Sequence, residues 1–96
     1  MSTLHILSHS PFSDARLDSC LRLLGDADGL LLTGDAVYGL LPNSEAAAKL
    51  HAVGQLYALS EDLQARAISP DARVQVVNYP GFVALSLAYH KVNSWL

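Results

Sequence analysis

Short apolar runs that alternate with helix signals over brief connections predict an α/β fold. Here they predict a small three-layer α/β/α domain with a mainly parallel sheet of four or five strands. Three observations carry that prediction. Leu30, Leu31 and Leu32 form a run apolar at every position, which suits a strand covered on both faces, as in a parallel sheet. Comparable short runs recur at residues 3–7, 55–59 and 74–77, each separated from the next by a helical pattern. The length of 96 residues bounds the chain to one domain, 1–96, with no internal repeat, linker or low-complexity tract.

Taken in order, residues 3–7 are the first strand. Ser8-His9-Ser10-Pro11-Phe12 is a polar turn, and Ser13 is the expected N-cap of a helix running to about Leu24, with Asp14 in its first turn matching the dipole. Leu17, Cys20, Leu21 and Leu24 fall at i, i+3, i+4 and i+7, which makes one apolar face. Gly25 to Gly29 ends that helix and delivers the central strand. Asp35 is expected to cap a helical turn over residues 36–41, stopped by Pro42. Ser44 and Glu45 open a second helix that ends near Gly54. After the third strand, Ser60 is the expected cap of a short helix over residues 61–67, and Ser69-Pro70-Asp71 is a turn. Pro80 suits a first helical turn, residues 82–90 form the last helix, and residues 92–96 are read as an apolar tail.

Composition narrows the function. Hydrophobic residues make up 51% of the chain and charged ones only 16%, so a domain this small has difficulty covering its apolar side chains, and burial against other subunits is expected. Six Lys and Arg are spread thinly within a formal net charge of −3, which argues against direct nucleic-acid binding. A single cysteine cannot form an internal disulfide, in keeping with a reducing cytoplasm. Neither a signal peptide nor a membrane span is expected from the hydropathy pattern.

Candidate chemistry is sparse. Cys20 shares its helix face with Leu17, Leu21 and Leu24, which reads as inert packing with a raised thiol pKa. The alternative is a sulfur-carrying thiol activated by Arg16, one turn earlier, or by a partner's residue. His5, His9, His51 and His90 are scattered without metal-ligand spacing, and no metal site is expected. His5 reads as a hydrogen-bonded residue within the sheet, and His9 as structural or solvent-facing in the following loop. Ser8, Ser10 and Ser13 precede a helix N-terminus, but their loop has no glycine to let a phosphate approach the backbone. No glycine-rich fingerprint or Ser-His-Asp arrangement stands out, so no cofactor is expected, and a flavodoxin-like anion- or nucleotide-binding module is disfavoured.

Five ordered segments together resemble the TusB/DsrH family. They are Leu4-His5 with Ser10-Pro11-Phe12; Leu30-Leu31-Leu32 with Asp35-Ala36-Val37-Tyr38; Leu56-Tyr57-Ala58-Leu59 with Glu61-Asp62-Leu63 and Ala65-Arg66; Val76-Val77-Asn78-Tyr79 with Phe82-Val83; and Ser94-Trp95-Leu96. The resemblance spans essentially the whole chain and implies a DsrEFH-like (flavodoxin-like) sheet. It implies the B subunit of a cytoplasmic sulfurtransferase complex, in which B, C and D subunits form a heterotrimer that doubles into a hexamer. With TusC-like and TusD-like partners, that assembly passes persulfide sulfur from a TusA-like donor to a TusE-like acceptor. The sulfur ends in the 2-thiouridine of wobble-position tRNA, or, in the DsrEFH branch, serves sulfur oxidation. The principal sulfur-carrying cysteine belongs to the D-like subunit, which leaves this chain mainly structural.

Two departures from the family pattern matter. Members often read Asp-Gly where this chain has Asp35-Ala36, and alanine adopts positive φ only at a cost, so a more regular turn is expected here. Cys20 stands where DsrH-type members also carry cysteine and several TusB-type members do not, so both roles for it stay open.

For assembly, the candidate interface residues are Trp95, Leu96 and Tyr38. An indole and a leucine at the chain's end are costly to leave in water, and tryptophan is enriched among interface anchors. The rival reading folds Trp95 back onto its own core. Tyr38 lies just past the central strand's carboxyl end, where open α/β sheets place their working surface.

Overall fold

The three leucines of the central run are buried almost completely, and the sheet is built outward from them. The computed structural model describes residues 1–95. Its strands are β1 (Thr3–Leu7), β2 (Gly29–Leu32), β3 (Leu56–Leu59), β4 (Gln75–Val77) and β5 (Lys91–Trp95). Its α-helices are α1 (Arg16–Leu23), α2 (Glu45–Leu50), α3 (Ser60–Ala65) and α4 (Tyr79–Ala88), and a 3-10 helix covers Gly34–Leu40.

The strands lie in the order β4-β3-β2-β1-β5 and every pairing is parallel. The chain steps from β1 through β2 and β3 to β4 in one direction, then returns across the sheet to set β5 beside β1. Alternate residues of the strands feed two cores. Leu7, Leu30, Leu32, Leu56 and Ala58 pack with Leu17 and Cys20 of α1, Ala36 and Val37 of the 3-10 helix, Ala46 and Leu50 of α2 and Leu63 of α3. Leu4, Leu31 and Tyr57 face the other way, against Phe82, Leu85 and Tyr89 on and just beyond α4. The outward march thus keeps its helices on one face and the return helix α4 occupies the other, as right-handed crossovers require. Both central strands, β2 and β3, are buried at every position, because helices cover both sides.

Several local expectations change. The fifth strand is the largest revision: the stretch read as an apolar tail is, over its described residues, a strand, since 91–95 pair in register with β1 from Thr3↔Lys91 to Leu7↔Trp95. Ser13 does not cap α1; the cap position is Ala15, without a side-chain hydrogen bond, while the Ser13 hydroxyl donates to the Ser10 carbonyl. The Asp14 carboxylate accepts the Arg16 amide instead. Asp35 does not cap the 3-10 helix; Thr33 holds that position, and Asp35 turns outward to an arginine. Ser60 is already inside α3, which follows β3 so directly that Leu59 is the cap residue. Ser44 and Asn78, by contrast, cap α2 and α4 with side-chain oxygens that accept the amides of Ala47 and Gly81.

Two glycines are dictated by geometry. Gly34 takes φ +50 where β2 turns into the 3-10 helix, and a Cβ there would lie 3.2 Å from the Ser8 carbonyl oxygen. Because the positive φ falls on Gly34, the Asp35-Ala36 pair sits in regular helical backbone at no cost. Gly29 opens β2 beneath Tyr89, which leaves no room for a side chain there.

Candidate functional site

The sole thiol is sealed in the core. The i, i+3, i+4 pattern of α1 turns Cys20 toward the sheet, and its side chain is 0% exposed in the larger core beside Leu17 and Leu7. Burial, and secondarily the negative charge of Asp28, push the thiol up to about 11. Arg16, the sequence's candidate activator, is ion-paired with Asp14. In this conformation Cys20 offers neither access nor thiolate.

A reactivity prediction follows. With a pKa of about 11, roughly one thiol in a thousand is ionised at pH 8. Iodoacetamide at that pH is expected to leave the folded chain unlabelled over hours and to label it within minutes in 8 M urea. The same shift has a stability consequence. The folded state holds the thiol proton more tightly than the unfolded chain, whose thiol ionises near ~8.5. This contribution is therefore fully present below about pH 8.5 and is lost as pH rises toward about 11, at up to about 1.4 kcal/mol per pH unit. Urea titrations between pH 8 and pH 10.5 are expected to show a shallower loss of stability for Cys20→Ala than for the parent chain.

Next to this thiol lies a hydrogen-bonded array that ties the first and last strands. The Trp95 indole N–H donates to His5 Nδ1 at 3.1 Å, with the two rings 6.2 Å apart. An indole nitrogen only donates, so Nδ1 accepts and the neutral ring's proton sits on Nε2. Nε2 faces Asp28 Oδ2 at 3.5 Å. The Asp28 carboxylate accepts the amides of Gly25 and Thr3, each at 2.8 Å, and these bonds hold it below the usual carboxylate range. His5 is thus a buried, oriented residue of the sheet, and Trp95 is partly buried against the larger core. Leu96 lies outside the described residues.

At the carboxyl end of the sheet, Tyr38 lies beneath a guanidinium. Arg66 sits 5.7 Å from the Tyr38 ring centroid, and its Nε and Nη2 both donate to Asp35 Oδ1, at 3.1 and 2.8 Å. The Asp62 carboxylate accepts the Gly34 amide at 2.7 Å. Together these contacts clamp α3 to the 3-10 helix. Tyr38, Trp95 and Cys20 do not converge on one site: Tyr38 faces the α3 end, while Trp95 and Cys20 belong to the β1, β5 and α1 side. Sequence reasoning missed Asp28 and Arg66. The Asp62–Arg66 spacing of four is a visible helical pair, but the Asp35 and Tyr38 partners are set by tertiary structure. Among the described residues, no group of three His, Cys, Asp or Glu side chains is placed to hold a metal, and no helix is long and apolar enough to cross a membrane.

A five-stranded parallel sheet with helices on both faces, one of them the return helix, and a core-bound single cysteine, define a small three-layer α/β/α protein. The fold matches the crystal structure of the ychN protein from E. coli with a TM-score of 0.76 over 99% of this chain and 100% of that one, at 19% identity. The profile of the family described as DsrH like protein matches residues 9–92. Protein TusB of Enterobacter sp. (strain 638) is 36% identical over 95 residues, spanning 96% of this chain and 99% of that protein. Protein TusB of Erwinia tasmaniensis is 40% identical over 97 residues with the same coverage. The chain belongs to the TusB/DsrH family.

Proposed function

We propose that this chain is the B-type subunit of a cytoplasmic sulfur-relay complex, joined to TusC-like and TusD-like subunits in a heterotrimer that doubles into a hexamer. The complex passes persulfide sulfur from a TusA-like donor to a TusE-like acceptor for 2-thiolation of wobble uridine in tRNA. Persulfide transfer needs an accessible thiolate that attacks the outer sulfur and displaces the donor thiolate. The observation that carries the reading is the burial of Cys20, the chain's only thiol, with its pKa raised to about 11. The sulfur is accordingly carried by partners, and this subunit supplies structure. Its partner-facing surface includes Trp95, Leu96 and Tyr38.

The second reading, a subunit that carries sulfur on Cys20 in a DsrEFH-type relay for sulfur oxidation, is favoured by the cysteine's position in α1. It requires the core around α1 to open within the complex. One experiment separates them. The chain is co-expressed with C-like, D-like and E-like subunits, and 2-thiouridine in tRNA is measured by mass spectrometry in a strain dependent on this subunit. Cys20→Ala is expected to copurify with its partners and retain thiolation. Loss of 2-thiouridine with the complex intact would overturn the structural role, and failure to copurify any partner with the parent chain would overturn the proposed assembly.

A further inference from the structure

Among the described residues, the one buried side-chain polar atom without a hydrogen-bond partner is His5 Nε2. His5 lies in β1 and is only 4% exposed. A buried polar atom left unbonded is destabilising, so its presence in a native core has a physical reason. The two ring nitrogens are treated differently. Nδ1 accepts the Trp95 indole N–H at 3.1 Å. Nε2, which carries the proton, lies 3.5 Å from Asp28 Oδ2, too far for a well-made hydrogen bond.

A second proton on the ring changes both contacts at once. It goes to Nδ1, the nitrogen with the lone pair. Toward Asp28, the 3.5 Å contact becomes an ion pair of imidazolium and carboxylate. Toward Trp95, two N–H groups then face each other. A hydroxyl in that place could reverse its role and accept; an indole has no acceptor to offer. The charged ring and the indole bond therefore exclude one another.

We infer that His5 is a proton-operated latch on β5: neutral, it fastens the Trp95 indole, and charged, it pairs with Asp28 and lets the indole go. The groups around the ring keep their own charge states between pH 5 and 8, where a histidine ordinarily titrates. Asp28, in the turn ahead of β2, stays a carboxylate, since the amides of Gly25 and Thr3 hold it low. Cys20 of α1, in the field of the same carboxylate, stays a neutral thiol, and the Tyr89 phenol beyond α4 stays neutral too. The register neighbours of His5, Leu30 on β2 and Asn93 on β5, do not ionise. The backbone ladder between β1 and β5 has no titratable group, so the strand stays paired when the indole leaves. The stability that the indole bond adds is present while His5 is neutral and is lost as pH falls through its titration. The device concerns this chain's own last strand and is independent of the sulfur-relay reading.

Trp95 is the only tryptophan, so its indole N–H gives one resonance in a proton–nitrogen correlation spectrum. The isotope-labelled full chain is followed from pH 8 to pH 5, together with the His5 ring signals and far-UV circular dichroism. Over the interval in which His5 titrates, the indole resonance is expected to move upfield and its protection from hydrogen exchange to fall about tenfold, with the circular dichroism unchanged. His5→Asn keeps an acceptor close to the place of Nδ1 but takes up no proton, so its indole resonance is expected to stay fixed. In Trp95→Phe no donor faces Nδ1, and His5 is expected to take up its proton at a higher pH than in the parent. An indole that stays bonded while His5 titrates, or a His5 that stays neutral down to pH 5, would overturn the proposal. So would a folded His5→Asn chain that loses the bond in acid as the parent does, or loss of the circular dichroism together with the bond. If His5→Asn fails to fold, Trp95→Phe decides: an unchanged His5 titration overturns the latch.

Discussion

Removal of residues 92–96 is expected to lower the melting temperature of the isolated chain by more than about 10 °C, or to leave it unfolded at room temperature. The segment supplies most of β5, which runs beside β1 over five register pairs. Without it, the β1 backbone loses its outer partner along the strand that carries Leu4 and Leu7, both fully buried. The Trp95 ring leaves the larger core, which costs about 2 kcal/mol for a partly buried indole, below the 3–5 of a fully buried one. The indole bond to His5 Nδ1 is lost as well, a further cost of about 0.5–1.5 kcal/mol. The total is a large share of the 5–15 kcal/mol that holds small domains together, and in a domain this size each kcal/mol moves the melting point by about 4–8 °C. Differential scanning calorimetry checks the truncation. Trp95→Phe, which keeps a ring but removes the N–H, is expected to lose only about 1 kcal/mol. Unchanged melting of the truncated chain, together with loss of its partners, would instead assign the segment to docking alone.

Gly29→Ala is expected to destabilise the chain by about 2–3 kcal/mol, although it adds a single methyl group. A Cβ on Gly29 would stand 2.3 Å from the Tyr89 hydroxyl oxygen, 2.8 Å from the Tyr89 Cζ and 3.1 Å from the Tyr57 ring. Tyr89 cannot swing aside freely. Its ring packs edge-on to Tyr57 at 6.5 Å, and the two hydroxyls share a hydrogen bond of 3.1 Å. The methyl group must therefore lift the carboxyl end of α4 from the sheet or break the tyrosine pair. Urea denaturation of Gly29→Ala, Tyr89→Ala and the double variant tests this. Once Tyr89 is gone the added methyl meets less, so the double variant is expected to be more stable than the two single losses added together. Strict additivity would show that the tyrosine is not the obstacle.

The frame of the molecule is readable from composition and period. The all-apolar run at Leu30 to Leu32 suits a doubly covered strand, and the spacing of Leu17, Cys20, Leu21 and Leu24 assigns α1 its inner face. What could not be read depends on partners distant in sequence. Ser13, Asp35 and Ser60 each have the side chain of an N-cap, and each sits before a helical pattern. Asp35 is claimed by Arg66, thirty-one positions away, and the others are displaced because the helices begin a residue or more from where their side chains would place them. The stretch after α4 hides its strand because an edge strand with one face open shows weak alternation. Lys91, Asn93 and Ser94 interrupt it, and only the register against β1 reveals the pairing. The candidate residues were visible as types, a lone thiol and a terminal indole. The contacts around them, from Trp95 through His5 to Asp28, join three segments and leave no local pattern.

The pairing of the first strand with the last also sets the tempo of folding. Thr3 and Lys91 are separated by nearly the whole chain, so the β1–β5 ladder closes the longest loop available to this molecule. Loop-closure entropy delays such contacts, and sheets built from distant parallel strands fold slowly for their size. During synthesis β1 emerges first and waits, with one edge unpaired, until the final strand arrives. For that interval the nascent chain presents the backbone of β1 to any strand that reaches it, and a cell making this protein must either complete it quickly or keep that edge covered.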